Sequence, residues 1–492
     1  MIMNKTNSTK KTSKVGIVGG GVAGSTIALR LAEIGVEVVL FEEGASLVNG
    51  PPICHLHAGG NLYREISDQQ CVDLLKQSID TLRVFPHTAN IRPTVIAVPK
   101  RDKGEPDALL SRLELLRNTY HSLIESDANN KVLGEPSDYF KLYDQDTLIE
   151  LASRDFPSTP SSLDDWMIPV AKNLNLDEFK YPLVLVQEYG LSVFRIAATA
   201  SLALSQMSHC KVLTTAKVNH LEQCESTSQW NVHYQQFDST LGDWVTGYEH
   251  VDYLINACGY KTGTLDNLAK LPRERMVEFK AAYVTHWEHS QGTWPEVIFH
   301  GERGTPNGMA QLTPYPDGYF QLHGMTEDIT LFPKGLVSST AANAQPELSA
   351  PFIKKLTQHW QQDEVDLRSA RAINHMAQFI PEFSSATIGG KPLFGAQQIP
   401  GTDPSLRAVD ISFDGINYAR TEIVKASSAL SAADAVVDKL QKLQLITNDQ
   451  HTSLELSFPI TRSLTLEQVE NFAEQLAEQR HYPSALARRV AF

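Results

Sequence analysis

Three glycines and one acid carry the clearest chemistry in the chain. Gly19, Gly21 and Gly24 form a Gly-x-Gly-x-x-Gly turn, and Glu42 follows 18 residues after the last of them. The turn comes straight after the apolar run 15–18. It opens a stretch whose apolar residues at 27, 28, 31 and 34 recur at helical spacing before Gly35. Gly19 allows a tight exit from a strand, Gly21 lets the backbone approach a pyrophosphate with no Cβ in the way, and Gly24 permits close helix–strand packing. Val22 and Ala23 stand at the helix start, where unpaired N–H groups and the positive dipole end favour phosphate. Glu42 ends a second, β-branched run, 36–41, and can accept hydrogen bonds from a ribose diol. Strand, glycine turn, helix, strand predicts a parallel βαβ unit that holds a dinucleotide.

Other segments offer chemistry with less specificity. Residues 251–259 read as a strand that ends in small residues, Asn256-Ala257-Cys258-Gly259. Residues 51–64 hold Cys54, His55, His57, Asn61 and Arg64, groups able to face a ligand. They do not make a metal site. On an extended chain His55 and His57 share a face while Cys54 points away, and no fourth ligand is evident. His323 lies in an alternating, strand-like run, 319–324.

These groups must be positioned by a globular chain of 492 residues, of which 42% are hydrophobic and 20% charged. That size predicts two to four structural units and excludes a disordered or coiled-coil protein. The 57 acidic residues outnumber the 43 Lys and Arg, for a net charge of −14, which argues against a phosphate-tracking nucleic-acid binder. The five cysteines are odd in number, scattered and without Cys-x-x-Cys spacing, which points to a reducing, cytoplasmic setting. No window reaches the 18 apolar residues of a membrane span. Residues 1–14 are polar, with four lysines and no signal-peptide core, and read as a disordered leader.

Helices are expected at 68–84, 107–125, 192–207, 351–361, 363–375 and 423–443, with strands at 211–215, 217–222 and 230–234 and several more within 276–333. Residues 126–138 and 155–165 read as loops. Near the C-terminus, Thr465 and Gln468 form a capping box, and Leu464 with Val469 a hydrophobic staple. Val469, Phe472 and Leu476 then share one face and Glu467, Glu470, Glu474 and Glu478 the other. So acidic a helix is expected to dock on the protein's own body rather than on anionic lipid.

The strand end 256–259 resembles the second strand-end motif of flavoproteins, where the chain returns beneath FAD. Residues 188–222 resemble the element before it in the glycine/D-amino-acid oxidase superfamily. Over 14–443 the chain resembles that superfamily. Within it the malate:quinone oxidoreductase and L-2-hydroxyglutarate dehydrogenase branches look most similar, through His57-Ala58-Gly59 and the small-residue segment 420–430. Two stretches depart from those branches: Thr421-Glu422-Ile423-Val424, where Pro and Ser are usual, and Gly390-Lys391-Pro392, where Arg is frequent.

The resemblance implies an α/β fold: a Rossmann-like FAD-binding domain (14–100, 185–275 and 376–445), a discontinuous substrate domain on a mixed β-sheet (101–184 and 276–375), and a C-terminal accessory segment (446–492). It implies non-covalent FAD held at Gly19, Gly21, Val22, Ala23, Gly24, Glu42, Val218, Ala257, Gly259 and Val424. His57 stands as a base for the substrate hydroxyl, as a group that shapes the flavin pocket, or as a covalent flavin link. His323 is either substrate-facing or a satisfied structural histidine. Arg420 is the first choice for a carboxylate clamp, against a salt bridge, with Arg64 and Lys391 behind it. The implied reaction is oxidation of a small 2-hydroxy acid by hydride transfer to flavin, with a quinone, oxygen or a protein as electron acceptor and peripheral membrane contact open. An amine or amino-acid oxidase, or a flavoprotein serving as an assembly factor, are the alternatives.

Overall fold

The first four apolar residues after Lys14 enter a sheet at once. In a computed structural model that describes residues 13–50, 66–358, 360–404, 406, 411–447 and 454–490, β1 (Lys14–Val18) is followed by α1 (Val22–Glu33) and β2 (Glu37–Phe41). β1 and β2 pair in parallel, Val15 against Val38, as the βαβ reading requires. Residues 1–12 of the expected leader and the whole 51–65 segment, His57 included, lie outside the described residues, and Lys14, expected to end the leader, begins β1. Residues Ala23 to Ala32 of α1 are all buried, between the sheet and the helix Ser428–Lys442. Gly35, at φ +83°, ends the helix in the left-handed region where glycine carries no Cβ penalty.

The sheet runs Ile411–Asp414, Tyr418–Thr421, Tyr253–Asn256, β1, β2, Cys210–Leu213. It is parallel except for its first edge strand. A three-stranded antiparallel sheet, Ala216–Gln223, Trp230–Asp238 and Asp243–Val251, adjoins the end of β2. A larger mixed sheet of ten strands is built around Arg275–His286, Tyr319–Gly324, Ala310–Pro314, Glu296–Phe299, Thr94–Pro99 and Phe179–Val186. Only Glu296–Phe299 and Thr94–Pro99 pair in parallel there.

Strand membership departs from the expected boundaries at three places. Thr94–Pro99 and Leu393–Pro400, expected in the FAD-binding unit, pair into the ten-stranded sheet, as does all of Phe179–Val186 across the 184/185 boundary. A short apolar run says that a strand exists but not which sheet completes its hydrogen bonds. The helix Leu163–Asn173 also begins inside the expected loop 155–165, from a capping box of Ser162 and Asp165.

The ten-stranded sheet has two unlike faces. Val95, Ala97, Val297, Phe299, Leu312, Phe320, Leu322 and Phe279 point into an aromatic-rich core on one side. Ile96, Val184, Val186, Ala282 and Val284 point the other way, into the core shared with α1. The C-terminal segment joins that second core. Thr465 and Gln468 form the expected capping box of Leu466–Gln479, and Val469, Ala473, Leu476 and Ala477 are buried.

Candidate active site

Each glycine of the turn meets a different neighbour. A Cβ on Gly19 (φ +101°) would lie 2.3 Å from the Ala257 carbonyl oxygen, and one on Gly24 only 1.8 Å from the Gly19 oxygen. These two close the turn against α1 and the Ala257–Gly259 strand end. Among the described residues a Cβ on Gly21 would have nothing within 4 Å. Gly21 is the N-cap of α1, no side chain caps the helix, and no acid stands in its first turn. An open approach to a positive helix end is what a pyrophosphate needs. Glu42 sits beside it. The Gly20 N–H donates to Glu42 Oε2 (2.6 Å) and the Gly44 N–H to Oε1 (2.6 Å). Oε1 also accepts from Asn49 Nδ2 (3.3 Å), while Oε2 keeps a lone pair for a diol. The Ala216 N–H donates to the Glu42 carbonyl (2.8 Å), which starts the strand carrying Val218 next to this acid. The residues present therefore fit the ADP half of FAD. Val424 lies on the far side, before the helix Ser428–Lys442, and its carbonyl accepts from Gln397 Nε2 (3.2 Å).

The large sheet itself carries a polar patch. On the face opposite the aromatic core, Thr94, Glu296, Gln311, Thr313, Gln321 and His323 replace apolar residues at alternate positions, and all but His323 are fully buried. They are linked across strands. Arg92 Nη2 donates to Glu296 Oε2 (2.6 Å), Gln311 Nε2 donates to Glu296 Oε1, and His323 Nδ1 lies 3.4 Å from Gln311 Oε1. Tyr315 donates its hydroxyl to Gln321 Oε1 (3.2 Å). Nearby on the same face Lys280 pairs with Glu278 (2.7 Å) and Gln397 (3.2 Å).

Sequence reading found His323 but not Arg92, Glu296, Gln311 or Lys280. The signal was present: a lone Glu, Gln or Lys at every second position of an otherwise apolar strand, as in Glu-Val-Ile-Phe at 296–299.

Arg420 is elsewhere and fully occupied. Its Nε donates to Asp266 (3.0 Å), Nη1 to Asp414 (3.0 Å) and Nη2 to the Leu271 carbonyl (2.9 Å), and it is wholly buried. Arg275 pairs with the same Asp266 and approaches Glu422 (3.8 Å), which Arg273 holds at 2.8 Å. Asp266 and Asp414 hold the Arg420 guanidinium charge firmly, raising its pKa. Nearness in sequence to the small-residue segment does not make Arg420 a clamp, because its strand points it beneath the sheet. Lys391 packs over the Tyr482 ring at 4.3 Å. Arg64 and His57 lie outside the described residues. Among the described residues no group of three or more His, Cys, Asp or Glu is arranged to hold a metal, and no helix is long and apolar enough to cross a membrane.

No family model and no curated protein matches the sequence. Solved structures do match. A glycerol-3-phosphate dehydrogenase from Bacillus halodurans complexed with FAD aligns with TM-score 0.56 and 12% identity, over 97% of this chain and 82% of that one. An L-α-glycerophosphate oxidase from Mycoplasma pneumoniae with FAD bound gives 0.54 and 14%, over 91% and 98%. An L-proline dehydrogenase from P. horikoshii gives 0.53 and 15%, over 92% and 98%. The chain has the fold of these oxidoreductases. At such identities the likeness is one of architecture.

Proposed function

We propose that the protein is an FAD-dependent oxidoreductase that oxidises a small 2-hydroxy acid between the glycine turn and the polar sheet face. The observation that carries the reading is the Gly21 Cβ position, unobstructed among the described residues at an uncapped helix end beside Glu42. FAD, when bound, supplies the two-electron acceptor. Gly19 to Gly24 and Ala257 to Gly259 shape its pyrophosphate cradle, Glu42 takes the ribose diol, and Val218 and Val424 flank its two ends, without a covalent link.

The chain's own residues supply position and a proton acceptor. Glu296 is held by Arg92 and accepts from the Gln311 amide nitrogen. That fixes the Gln311 amide so that its oxygen faces His323 Nδ1. A ring held this way carries its proton on Nδ1, the tautomer that suits a base for a substrate hydroxyl. With Arg420 committed to Asp266 and Lys280 to Glu278, the carboxylate clamp falls to the remaining candidates, Arg64 and Lys391. FAD bound here would supply electrons to a quinone, oxygen or a protein acceptor, in a cytoplasmic setting.

An amino-acid substrate is the second reading, favoured by the L-proline dehydrogenase fold likeness. Anaerobic mixing of the flavin-loaded protein with 2-hydroxy acids, amino acids and secondary amines separates the two. Bleaching of the flavin band by 2-hydroxy acids alone supports the first reading. Bleaching by amino acids alone replaces it with the second, and no bleaching by any of them leaves a flavoprotein without small-molecule turnover.

A further inference from the structure

Val48 is a β-branched residue held at φ +53°, in the left-handed region that such side chains avoid. It is fully buried, and both of its backbone polar groups are tied. Its N–H donates to the Gly20 carbonyl inside the dinucleotide turn (2.7 Å). Its carbonyl accepts from Arg480 Nη1 (2.9 Å), while Arg480 Nη2 donates to the Leu47 carbonyl (2.8 Å) and to Ser46 Oγ (3.0 Å). Leu47 presses on the turn from the same side: a Cβ on Gly20 would lie 2.7 Å from its Cδ2.

Arg480 is the C-cap of the helix Leu466–Gln479, more than 400 residues along the chain from the turn, and its guanidinium lies over the Phe194 ring at 5.6 Å. A strained conformation persists only where its surroundings over-determine it. Here the surroundings are the apolar core around the Val48 side chain, an arginine on its carbonyl and the glycine turn on its amide. The loop 44–49 also carries the Gly44 N–H and the Asn49 side chain that hold Glu42 Oε1, at 2.6 and 3.3 Å. Burial lowers the pKa of Arg480, and Glu42 is near enough to act against that shift.

We infer that Arg480 is a positioning residue for the dinucleotide: gripping Leu47 and Val48, it fixes Gly20 and Glu42 in the geometry that receives the pyrophosphate and ribose. The C-terminal segment is thereby part of the cofactor site without touching the cofactor. The inference rests on the FAD reading above, and its test separates the two.

Full-length parent, Arg480→Met, Arg480→Lys and Arg488→Met are compared. Arg488 belongs to the same segment but pairs with Asp317, away from the turn. Titrating apoprotein with FAD by flavin fluorescence, Arg480→Met weakens binding about tenfold or more, the scale of a lost charge-assisted hydrogen bond. Arg480→Lys falls between it and the parent, and Arg488→Met stays within about twofold of the parent. Equal affinity in parent and Arg480→Met, or equal loss in Arg488→Met, overturns the inference. If Arg480→Met does not fold, Arg480→Lys carries the comparison, and parent-like affinity there is the contrary result. Hydrogen exchange at the Val48 amide of the apoprotein needs no ligand. It quickens about tenfold in Arg480→Met if the grip is real and is unchanged if it is not. A parent that binds no FAD yet shows this exchange difference refutes the cofactor reading and leaves the grip standing.

Discussion

His323 and Arg420 both looked able to touch a substrate, and their surroundings now set them apart. His323 is oriented through Gln311 and Glu296 on a polar face. Arg420 is saturated by two carboxylates and a carbonyl. Their substitutions should therefore fail in different ways. His323→Gln should slow flavin reduction by about 10²–10⁴-fold with FAD still bound, measured by stopped flow with a substrate that bleaches the parent. A parental rate would make His323 structural. Arg420→Met removes one of the two buried arginines on Asp266, leaving Arg275, and should cost about 1–3 kcal/mol of stability in denaturant melts. A folded, stable Arg420→Met with a raised KM would return the clamp to this position. The glycine turn and Glu42 were legible because their spacing is itself the mechanism. The Arg92–Glu296–Gln311–His323 chain was not, because each strand contributes only one or two polar groups. Their partnership exists only after strands far apart in sequence are paired.

At the scale of elements, the amphipathic and capped segments read true: α1, Asp68–Val84, Val193–Leu204 and Leu466–Gln479 all form helices near the expected bounds. What periodicity could not supply was the sheet to which Thr94–Pro99 and Leu393–Pro400 belong. The helix Asp68–Val84 also holds a testable electrostatic cost. Burial raises the carboxyl of Asp80 from 3.8 to about 6, with Asp434 and Glu455 adding to the effect against Arg83 and Lys76. The folded state thus binds this proton more tightly than the unfolded one. Its contribution to stability falls as pH rises from about 4 through 6 and stays low above. Asp80→Asn removes an ionisation that is unfavourable only in the fold. Its melting temperature should exceed the parent's at pH 8, with the gap closing as pH approaches 4. A gap independent of pH, or of opposite sign at pH 8, would show that Asp80 is stabilised as a carboxylate.

At the scale of the molecule, two sheets face one another across a shared core, and the C-terminal segment spans both. Arg480 reaches the loop after β2, while Tyr482 donates to the Pro392 carbonyl (3.1 Å) beside the large sheet. The account's central claim concerns the space between them, and Gly21 tests it most directly. Among the described residues a Cβ there would meet nothing within 4 Å, so the apoprotein should fold and melt as the parent does. Any change then reports on the ligand. Purified Gly21→Val, loaded with FAD in parallel with the parent and freed of excess, should be colourless where the parent shows the oxidised flavin band. Full flavin content in Gly21→Val would contradict the assignment of the site.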